Sequence, residues 1–399
     1  MRSEVTDLVS ELTATVGAEH VHETADGHTV APSSTEEVAA VLRAASGSTT
    51  TVLPVGAGRT VGWLPAPAVD VRLELTRMDA ILEHSAGDLV VHVQAGAQLD
   101  AVQAALAPHG QRLPISSPVP GVTVGGLVAA DLSGPERYLH GTVRDLLIGT
   151  TTVAGDGTVA HAGGKVVKNV AGYDLGKLYT GSRGTLGVLT DVWFRLRPLP
   201  ECRRWVTAEV PDTATAAAAI AAVRASQVAP SALQLHRTPQ GRVTVGVELD
   251  GVAAGIDVRA DTVRELIGPA ASTVDSLPSG WNALPGGVVL LSLSYPPASL
   301  AAVLDALAAV DREHEINGSA GVGVLRVGCA AADASVLLAA ARAVTAEQHG
   351  TTVVLRAPTD HELDVWGPQD AALVRLMRRV KDEFDPTHTL SPGRLLGGI

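Results

Sequence analysis

Aromatic residues, cysteines and long apolar runs are all scarce in this sequence of 399 residues. Phe, Trp and Tyr together make up 3% of the chain, so it lacks the aromatic platforms on which readers of single-stranded nucleic acid stack bases. The formal net charge of −12 argues against the same class, because a phosphate backbone favours a basic surface. No nucleic-acid partner is therefore expected.

The two cysteines, Cys202 and Cys329, are far apart and support neither a disulfide framework nor a CxxC motif. Residues 1–15 are polar and acidic, without the apolar core of a signal peptide. No stretch reaches the roughly 18 apolar residues that a membrane helix needs. The 13 histidines are scattered, and no close spacing of His, Cys and carboxylates predicts a metal site. We expect a cytoplasmic protein without a membrane span or a bound metal.

Two common nucleotide-binding patterns are also absent. After Gly56 and Gly58, the third glycine, Gly62, comes one residue too late for a Rossmann fingerprint. The Gly-Gly-Lys that ends at Lys165 is followed by Val166, where a Walker motif has Ser or Thr. Both absences count against a nucleotide-dependent hydrolase or transferase.

Apolar residues make up 46% of the chain, enough for a large core, and the length suits two domains. In the first half, residues 34–37 predict a capping box, and the apolar residues that follow are spaced as in a helix. We further predict a strand over 88–95, a helix over 98–107 that ends near Gly110, and a strand–turn–strand over 146–160.

The pattern changes after Pro198-Leu199-Pro200, which marks a plausible domain boundary. Beyond it, strand-like runs alternate with Ala-rich helices, which predicts an α+β unit with a small antiparallel sheet. The predicted strands lie at 243–249, 288–293 and 321–327, the helices at 213–225, 297–310 and 333–347, and a last helix at 370–384.

Four glycine-rich segments carry the functional signal. Residues 54–60 place two glycines one residue apart, which allows positive φ and a concave nest of backbone amides, although a structural turn explains them equally well. Residues 120–130 contain the pair Gly125-Gly126, for which tight helix packing is the alternative. Residues 137–145 contain charged side chains and lead directly into the strand predicted to begin at residue 146. Residues 168–175 and 181–190 combine glycines with Lys, Asn, Tyr and Asp, which suit the lining of a flat, hydrogen-bonding ligand.

The order of these segments, together with a terminal Pro392-Gly393-Arg394, resembles the FAD-binding domain of the p-cresol methylhydroxylase/vanillyl-alcohol-oxidase superfamily. The resemblance covers about 30–198 and 384–395. Within that superfamily, the run from Lys168 to Leu175 and the Ser-Gly-Pro at 133–135 are most similar to the FAD-binding (E) subunits of glycolate oxidase.

The resemblance implies a set of cofactor-binding residues. Residues 55–60 would cradle the FAD pyrophosphate, residues 120–126 and 141–144 would line the pyrophosphate and the inner edge of the flavin, residues 187–188 would approach the adenine and ribose, and Tyr173 and Asp174 would lie nearer the flavin and substrate. The implied residues are Val55, Gly56, Ala57, Gly58, Arg59, Thr60, Pro120, Thr123, Gly125, Gly126, Gly141, Val143, Arg144, Tyr173, Asp174, Gly187, Val188 and Arg394.

Two departures from the family bear on the flavin. Relatives with a covalent flavin carry a His in the glycine nest, where this chain has Arg59, and bicovalent relatives add a Cys near the Gly-Gly turn, where this chain has none. Non-covalent FAD is therefore expected. The terminal motif of the family is usually Asn-Pro-Gly, and here Ser391 replaces the Asn, which leaves one hydrogen bond in place of a bifunctional amide.

The expected fold is α+β. It comprises a two-subdomain FAD-binding domain over 1–200, a cap domain over 201–369 and a C-terminal segment, 370–399, that returns to the FAD domain.

The expected function is that of an FAD-dependent oxidoreductase that oxidises a small 2-hydroxy acid such as glycolate or D-lactate. Arg326 and Arg356 are candidates to hold the carboxylate, and His349 is the candidate base. Surface charge is the alternative explanation for each. The His-rich metal motif of the larger glycolate oxidase subunit is missing, so two roles stay open. In the first, the chain is a dehydrogenase, either as a subunit or as a stand-alone enzyme for another alcohol or for D-lactate. In the second, it is an FAD-holding relay or assembly subunit beside a larger flavin subunit and an iron–sulfur subunit.

Overall fold

A computed structural model describes residues 2–25, 27–63, 68–165 and 173–399, with side chains from Leu8 onward. In these ranges no helix combines the length and apolarity needed to cross a bilayer. The α-helices are α1 (Arg2–Val16), α2 (Thr35–Gly47), α3 (Leu99–Leu106), α4 (Val124–Ala129), α5 (Arg137–His140), α6 (Val143–Leu146), α7 (Leu175–Tyr179), α8 (Thr213–Ala225), α9 (Ile256–Ile267), α10 (Leu300–Ala308), α11 (Ala334–Glu347) and α12 (Ala371–Phe384).

The strands form three main sheets and one short two-stranded pairing. They are β1 (Val21–Thr24), β2 (Gly27–Val30), β3 (Val52–Val55), β4 (Val71–Glu74), β5 (Ile81–Ser85), β6 (Val90–Gln94), β7 (Gln111–Arg112), β8 (Leu147–Val153), β9 (Val159–Gly163), β10 (Val188–Arg195), β11 (Arg197–Pro198), β12 (Cys202–Val210), β13 (Ala232–Arg237), β14 (Val243–Gly251), β15 (Ser272–Val274), β16 (Val289–Ser294), β17 (His314–Gly318), β18 (Val324–Cys329) and β19 (Thr351–Arg356).

The first sheet has the order β1-β2-β4-β3, with β4 parallel to both of its neighbours. Helix α2 begins at the predicted capping box: the Ser34 side chain accepts from the Glu37 amide at 3.2 Å. The Glu37 carboxylate accepts from the Ser33 amide at 2.6 Å, one residue earlier than the simple motif predicts. The capped helix then buries Val38, Val41, Leu42 and Ala45.

The second sheet is antiparallel, with the order β5-β6-β10-β8-β9. It contains the predicted strand–turn–strand, in which Val153 pairs with Val159. The predicted helix after β6 is α3, and the chain then leaves through a short turn that ends at Gly110 with a φ of 67°. Positive φ at this position is why a glycine marks the end of the helix.

The third sheet is antiparallel, as predicted, but it has eight strands instead of the few that define a small sheet. Its order is β15-β12-β14-β13-β17-β18-β16-β19. Helices α8, α9 and α11 pack against it, and α10 packs against α8 and α11. Only three of its strands were predicted, because β12, β13 and β17 mix polar residues with apolar ones and lack a clean alternation. The predicted helices match α8, α10 and α11.

Two large hydrophobic cores divide the described chain. One contains residues of the first two sheets and also Leu390, and the other contains the third sheet and its helices. Helix α12 leads into the C-terminal segment, where Leu390 forms a parallel bridge with Val52 of β3. That bridge places Arg394 beside the loop that follows β3, at the edge of the first core.

Candidate functional site

A glycine-lined cavity opens between the loop after β3, the start of α4 and the loop before β10. Its empty volume, counted together with the solvent-open space at its mouth, is about 820 Å³. Its lining residues are Pro54, Val55, Gly56, Ala57, Gly58, Arg59, Thr60, Val61, Trp63, Leu75, Ala95, Val122, Thr123, Gly125, Gly126, Ala129, Ala130, Ser182, Arg183, Gly184, Gly187, Leu189 and Arg394.

The loop after β3 depends on its two glycines for different reasons. A Cβ on Gly56 would lie 2.0 Å from Thr123 Oγ1, so only glycine permits this close approach. Gly58 takes a φ of 67° and has open space around it, so here the backbone conformation requires the glycine. The expectation of positive φ therefore holds at Gly58 alone.

The start of α4 forms the facing wall. Thr123 precedes the helix, and its side chain accepts from the Gly126 amide at 3.2 Å. A Cβ on Gly125 would lie 2.7 Å from the Cβ of Ala95, at the end of β6. Gly125 therefore allows the tight helix packing that was the alternative explanation for this glycine, and it also lines the cavity.

Two arginines enter the cavity without a carboxylate partner in the described part of the chain. Arg183 lies in the loop before β10. Its Nη1 donates to the Trp63 carbonyl at a long 3.5 Å, and its guanidinium lies over the Trp366 ring, 5.8 Å from the ring centroid. Arg394 Nη2 donates to the carbonyls of Thr60 and Val61 at 3.3 Å, while its Nε and Nη1 are buried and have no partner there. Burial lowers the pKa of each guanidinium to about 10, and the charge of Arg183 adds to the effect on Arg394.

A bound anion would compensate the positive charge of Arg183 and Arg394. The two like charges repel, and their carbonyl and ring contacts replace only part of the hydration that burial removes. A diphosphate supplies two negative charges and several acceptor oxygens at once, and arginine matches phosphate geometry well. The donors in this cavity therefore fit a dinucleotide pyrophosphate.

Most of the predicted cofactor residues meet at this cavity. Eleven of the 18 line it: Val55, Gly56, Ala57, Gly58, Arg59, Thr60, Thr123, Gly125, Gly126, Gly187 and Arg394. The other seven, Pro120, Gly141, Val143, Arg144, Tyr173, Asp174 and Val188, do not. Val143 and Val188 are fully buried, Tyr173 is 90% exposed, and Gly141 turns toward Asp145. The Lys168–Gly172 part of the fourth motif lies outside the described residues.

Arg183 was missed although its motif was recognised. Gly181 and Gly184 flank it with φ values of 80° and 78°, and Arg183 itself takes a φ of 54°. An arginine inside so tight a glycine turn is a usable signal, because the turn fixes where its side chain leaves the backbone. Trp63, Ala129 and Leu189 carry no comparable signal.

The three catalytic candidates are not brought together. His349 is exposed, with a φ of 55°, just before β19, whereas Arg356 ends that strand and donates to the Gly287 carbonyl at 2.8 Å. A strand of this length separates them by about 20 Å. Arg326 lies in the middle of β18, opposite Ser292, and lines a different cavity. A substrate held by Arg326 is therefore not positioned by the other two residues.

In the described part of the chain, one cluster comes close to the geometry of a metal site. It consists of Glu136, His140 and Asp250. Arg112 occupies it, forming ion pairs with Glu136 and, at 2.8 Å, with Asp250. Since the arginine already neutralises the carboxylates, we interpret the cluster as an ionic contact between the two large cores.

Comparison with known families and folds agrees with this geometry. Residues 27–163 match the FAD binding domain family, and residues 368–395 match the C-terminal domain of FAD linked oxidases. The fold superposes on p-cresol methylhydroxylase with a TM-score of 0.79 at 15% identity, over 99% of this chain and 97% of that one. Residues 27–163 are therefore similar to an FAD binding domain, and the fold is similar to that of p-cresol methylhydroxylase. Both matched families support an FAD-dependent oxidoreductase.

Two relatives of this flavoprotein align with parts of it. The glycolate oxidase subunit GlcE of Escherichia coli (strain K12) is 38% identical over 152 residues, 38% of this chain and 43% of the relative. A D-lactate dehydrogenase of Archaeoglobus fulgidus is 33% identical over 169 residues, 42% of this chain and 38% of the relative. The chain thus spans less than half the length of either relative.

Proposed function

We propose that this flavoprotein holds FAD non-covalently in the glycine-lined cavity and oxidises a small 2-hydroxy acid as a subunit of a glycolate-oxidase-type complex. The observation that carries the cofactor assignment is the pair Arg183 and Arg394, two cations without carboxylate partners among the described residues, in a cavity walled by Gly56, Gly125 and Gly184. When bound, FAD supplies the hydride acceptor of the reaction.

Non-covalent binding is supported by the composition of the cavity. Covalent flavins are attached through His or Cys side chains, and neither residue type occurs among its lining residues. The undescribed segments, residues 64–67 and 166–172, contain no His or Cys in the sequence. Cys329 is buried, which raises the pKa of its thiol to about 11 and makes it a poor nucleophile. Acid or detergent denaturation should therefore release all of the flavin.

The substrate class and the partners rest on the relatives. One is named as a glycolate oxidase subunit and the other as a D-lactate dehydrogenase, and both names refer to small 2-hydroxy acids. Partner subunits, a larger flavin subunit and an iron–sulfur subunit, belong to the same proposal.

A second role, as an FAD-holding relay or assembly subunit, is favoured by one observation. Removal of the hydroxyl proton needs a base, most often His or a carboxylate. No residue lining the described cavity is a His, Asp or Glu. His349, the candidate base, is exposed and does not line this cavity. In this role the chain would bind FAD, and a partner subunit, instead of the acid, would reduce it.

An anaerobic visible spectrum of the purified, FAD-reconstituted chain separates these roles. A flavin band that bleaches on addition of glycolate or D-lactate supports oxidation by this chain. A stable band that bleaches only when the larger subunit is added supports the relay role. Absence of any flavin band after reconstitution contradicts the FAD assignment itself. The glycolate-oxidase partners are tested by co-purification from cells that express all three subunits.

A further inference from the structure

Trp366 connects the eight-stranded sheet with the glycine-lined cavity. It lies in the chain between β19 and α12, and its ring packs against the hydrophobic core of that sheet. The guanidinium carbon of Arg183, which lines the cavity, lies 5.8 Å from the centroid of the same ring. This distance is within the ~6 Å over which a cation is attracted to an aromatic face. One side chain therefore contacts both the second large core and a cation of the cavity.

Contacts with the eight-stranded sheet and its helices fix the backbone around Trp366. The Asp364 carboxylate accepts from the Trp366 amide at 3.2 Å. The Val365 carbonyl accepts from the amide of Val354, in β19, at 3.0 Å. Arg342 Nη2, in α11, donates to the Asp364 carbonyl at 2.6 Å. The ring is therefore positioned by β19 and α11, neither of which lines the cavity.

Arg183 has few other contacts that could hold its guanidinium in place. Its Nη1 donates to the Trp63 carbonyl at 3.5 Å, the limit of a hydrogen bond, and no carboxylate in the described ranges pairs with it. An unrestrained arginine side chain loses much conformational entropy when it is immobilised on a ligand. A ring that holds the guanidinium beforehand removes part of that cost, and preorganisation of this kind strengthens binding.

An aromatic ring suits this task better than a carboxylate would. The ring attracts the guanidinium through its electron-rich face, but it carries no acceptor oxygen and no full charge. The positive charge of Arg183 and its N–H donors thus remain available to a phosphate. Arg112 differs in this respect, because it already pairs with the carboxylates of Glu136 and Asp250.

We propose that Trp366 is a positioning residue for the cavity. It holds Arg183 where the guanidinium can receive a pyrophosphate, so the domain of the eight-stranded sheet contributes to FAD affinity through a side chain that does not itself line the cavity. The inference rests on the proposed function for the identity of the ligand. The contact with Arg183 and the backbone supports of Trp366 come from the structure alone.

A titration of the flavin-free chain with FAD, followed by flavin fluorescence, tests the proposal in a double-mutant cycle. W366L should weaken FAD binding roughly three- to tenfold, the range implied by a partly desolvated cation–π contact. W366F keeps an aromatic face and should stay within twofold of the parent. In the R183M background W366L should cause no further loss, whereas in the R394M background it should cause the full loss.

Trp281 provides a matched control for a general loosening of the domain. It is 8% exposed, packs in a separate small cluster with Trp205 and Ala232, and does not line the cavity. W281L should therefore leave FAD affinity within twofold of the parent. Circular dichroism verifies that each variant retains the parental fold.

The proposal is overturned if W366L binds FAD as tightly as the parent or more tightly, since a ring that competes with FAD for Arg183 would give the second result. It is also overturned if W366F or W281L is as weak as W366L, or if the losses in W366L and R183M multiply in the double variant. Failure of the proposed function looks different and would overturn both: the parent would bind no FAD, or R183M and R394M would both bind it like the parent.

Discussion

Lys381 and Thr185 are 196 residues apart in sequence, yet Lys381 Nζ donates to the Thr185 carbonyl at 2.7 Å in a buried position. The same ammonium contacts Asp385 Oδ2 at 2.5 Å and the Leu390 carbonyl at 2.8 Å. Because Thr185 lies between Gly184 and Gly187, which line the glycine-lined cavity, this lysine ties the C-terminal segment to the cavity wall.

Replacing Lys381 by Met should therefore lower both stability and flavin retention. Lys381 is 1% exposed, and removing one partner of a buried ion pair costs about 3–5 kcal/mol, because the other charge stays buried. Urea denaturation and the flavin content of the purified protein measure the two effects. K177M removes an exposed 3.3 Å pair with Asp174 and should cost about 1 kcal/mol or less. Equal losses in the two variants would contradict the anchoring role.

Replacing Arg183 or Arg394 should have opposite effects on the thermal stability of the flavin-free protein and on its affinity for FAD. R183M or R394M removes a buried cation that has no carboxylate partner among the described residues, so the flavin-free variant should melt at or above the temperature of the parent. The same change removes charge-assisted contacts to the pyrophosphate, each worth about 1.5–3 kcal/mol, so FAD affinity should fall roughly 10- to 100-fold. Thermal melts without FAD and a fluorescence titration with FAD measure the two signs. A structural role alone would destabilise the apoprotein.

The glycine loop after β3 offers a test with a matched control. The double variant G56V/G58V should abolish FAD retention, because a Cβ at Gly56 displaces Thr123 and a Cβ at Gly58 disfavours its φ of 67°. Gly110 has the same φ and open space around it, away from the cavity, so G110V carries the φ penalty without the cavity effect.

The third sheet has its own core, so it should still fold in the double variant, which limited proteolysis of residues 201–369 can verify. Full flavin occupancy in the double variant would rule out the pyrophosphate assignment for this loop.

The glycine-rich motifs could be predicted because they leave a strong local signature. Gly56, Gly58 and Gly125 stand where a close approach or a positive φ excludes a side chain, and such constraints act over a few residues. The contact between Lys381 and Thr185 could not be predicted in the same way, because it joins segments that only the folded chain brings together. The proximity of Arg183 and Arg394 in the glycine-lined cavity is hidden for the same reason. Single arginines in a sequence look like surface charge, and only the structure reveals which ones lack partners.

The order of the motifs also led us to predict cofactor-binding residues that do not line the cavity. Gly141 and Arg144 were grouped with the cavity wall, yet the stretch folds into α5 and α6, where Thr142 and Asp145 cap a short helix. The capping pattern Thr-x-x-Asp was visible in the sequence and is a sufficient local reason for these residues. Their contact with FAD stays a prediction, as does that of Tyr173.

The buried carboxyl of Glu248 should make the folded protein less stable as the pH rises toward 7. It is 2% exposed on β14, and burial followed by the charge of Glu136 raises the pKa of its carboxyl from 4.5 to about 7. The folded protein therefore binds a proton more tightly than the unfolded chain does. This group contributes stability that is complete below about pH 4.5 and is lost as pH rises toward 7, and a shift of this size corresponds to about 3 kcal/mol.

E248Q removes the titration while keeping the shape of the side chain. The variant should match the parent near pH 4.5 and exceed it in unfolding free energy by up to about 3 kcal/mol above pH 7. Arg203 Nη1 lies 3.8 Å from Glu248 Oε1, and that long pair offsets part of the burial cost, so the pKa rises less than burial alone would raise it. Urea denaturation of both proteins from pH 4.5 to pH 8 gives the difference directly. A difference that stays constant over this range would mean that folding does not shift the pKa of Glu248, because Arg203 and Arg112 compensate its charge in full.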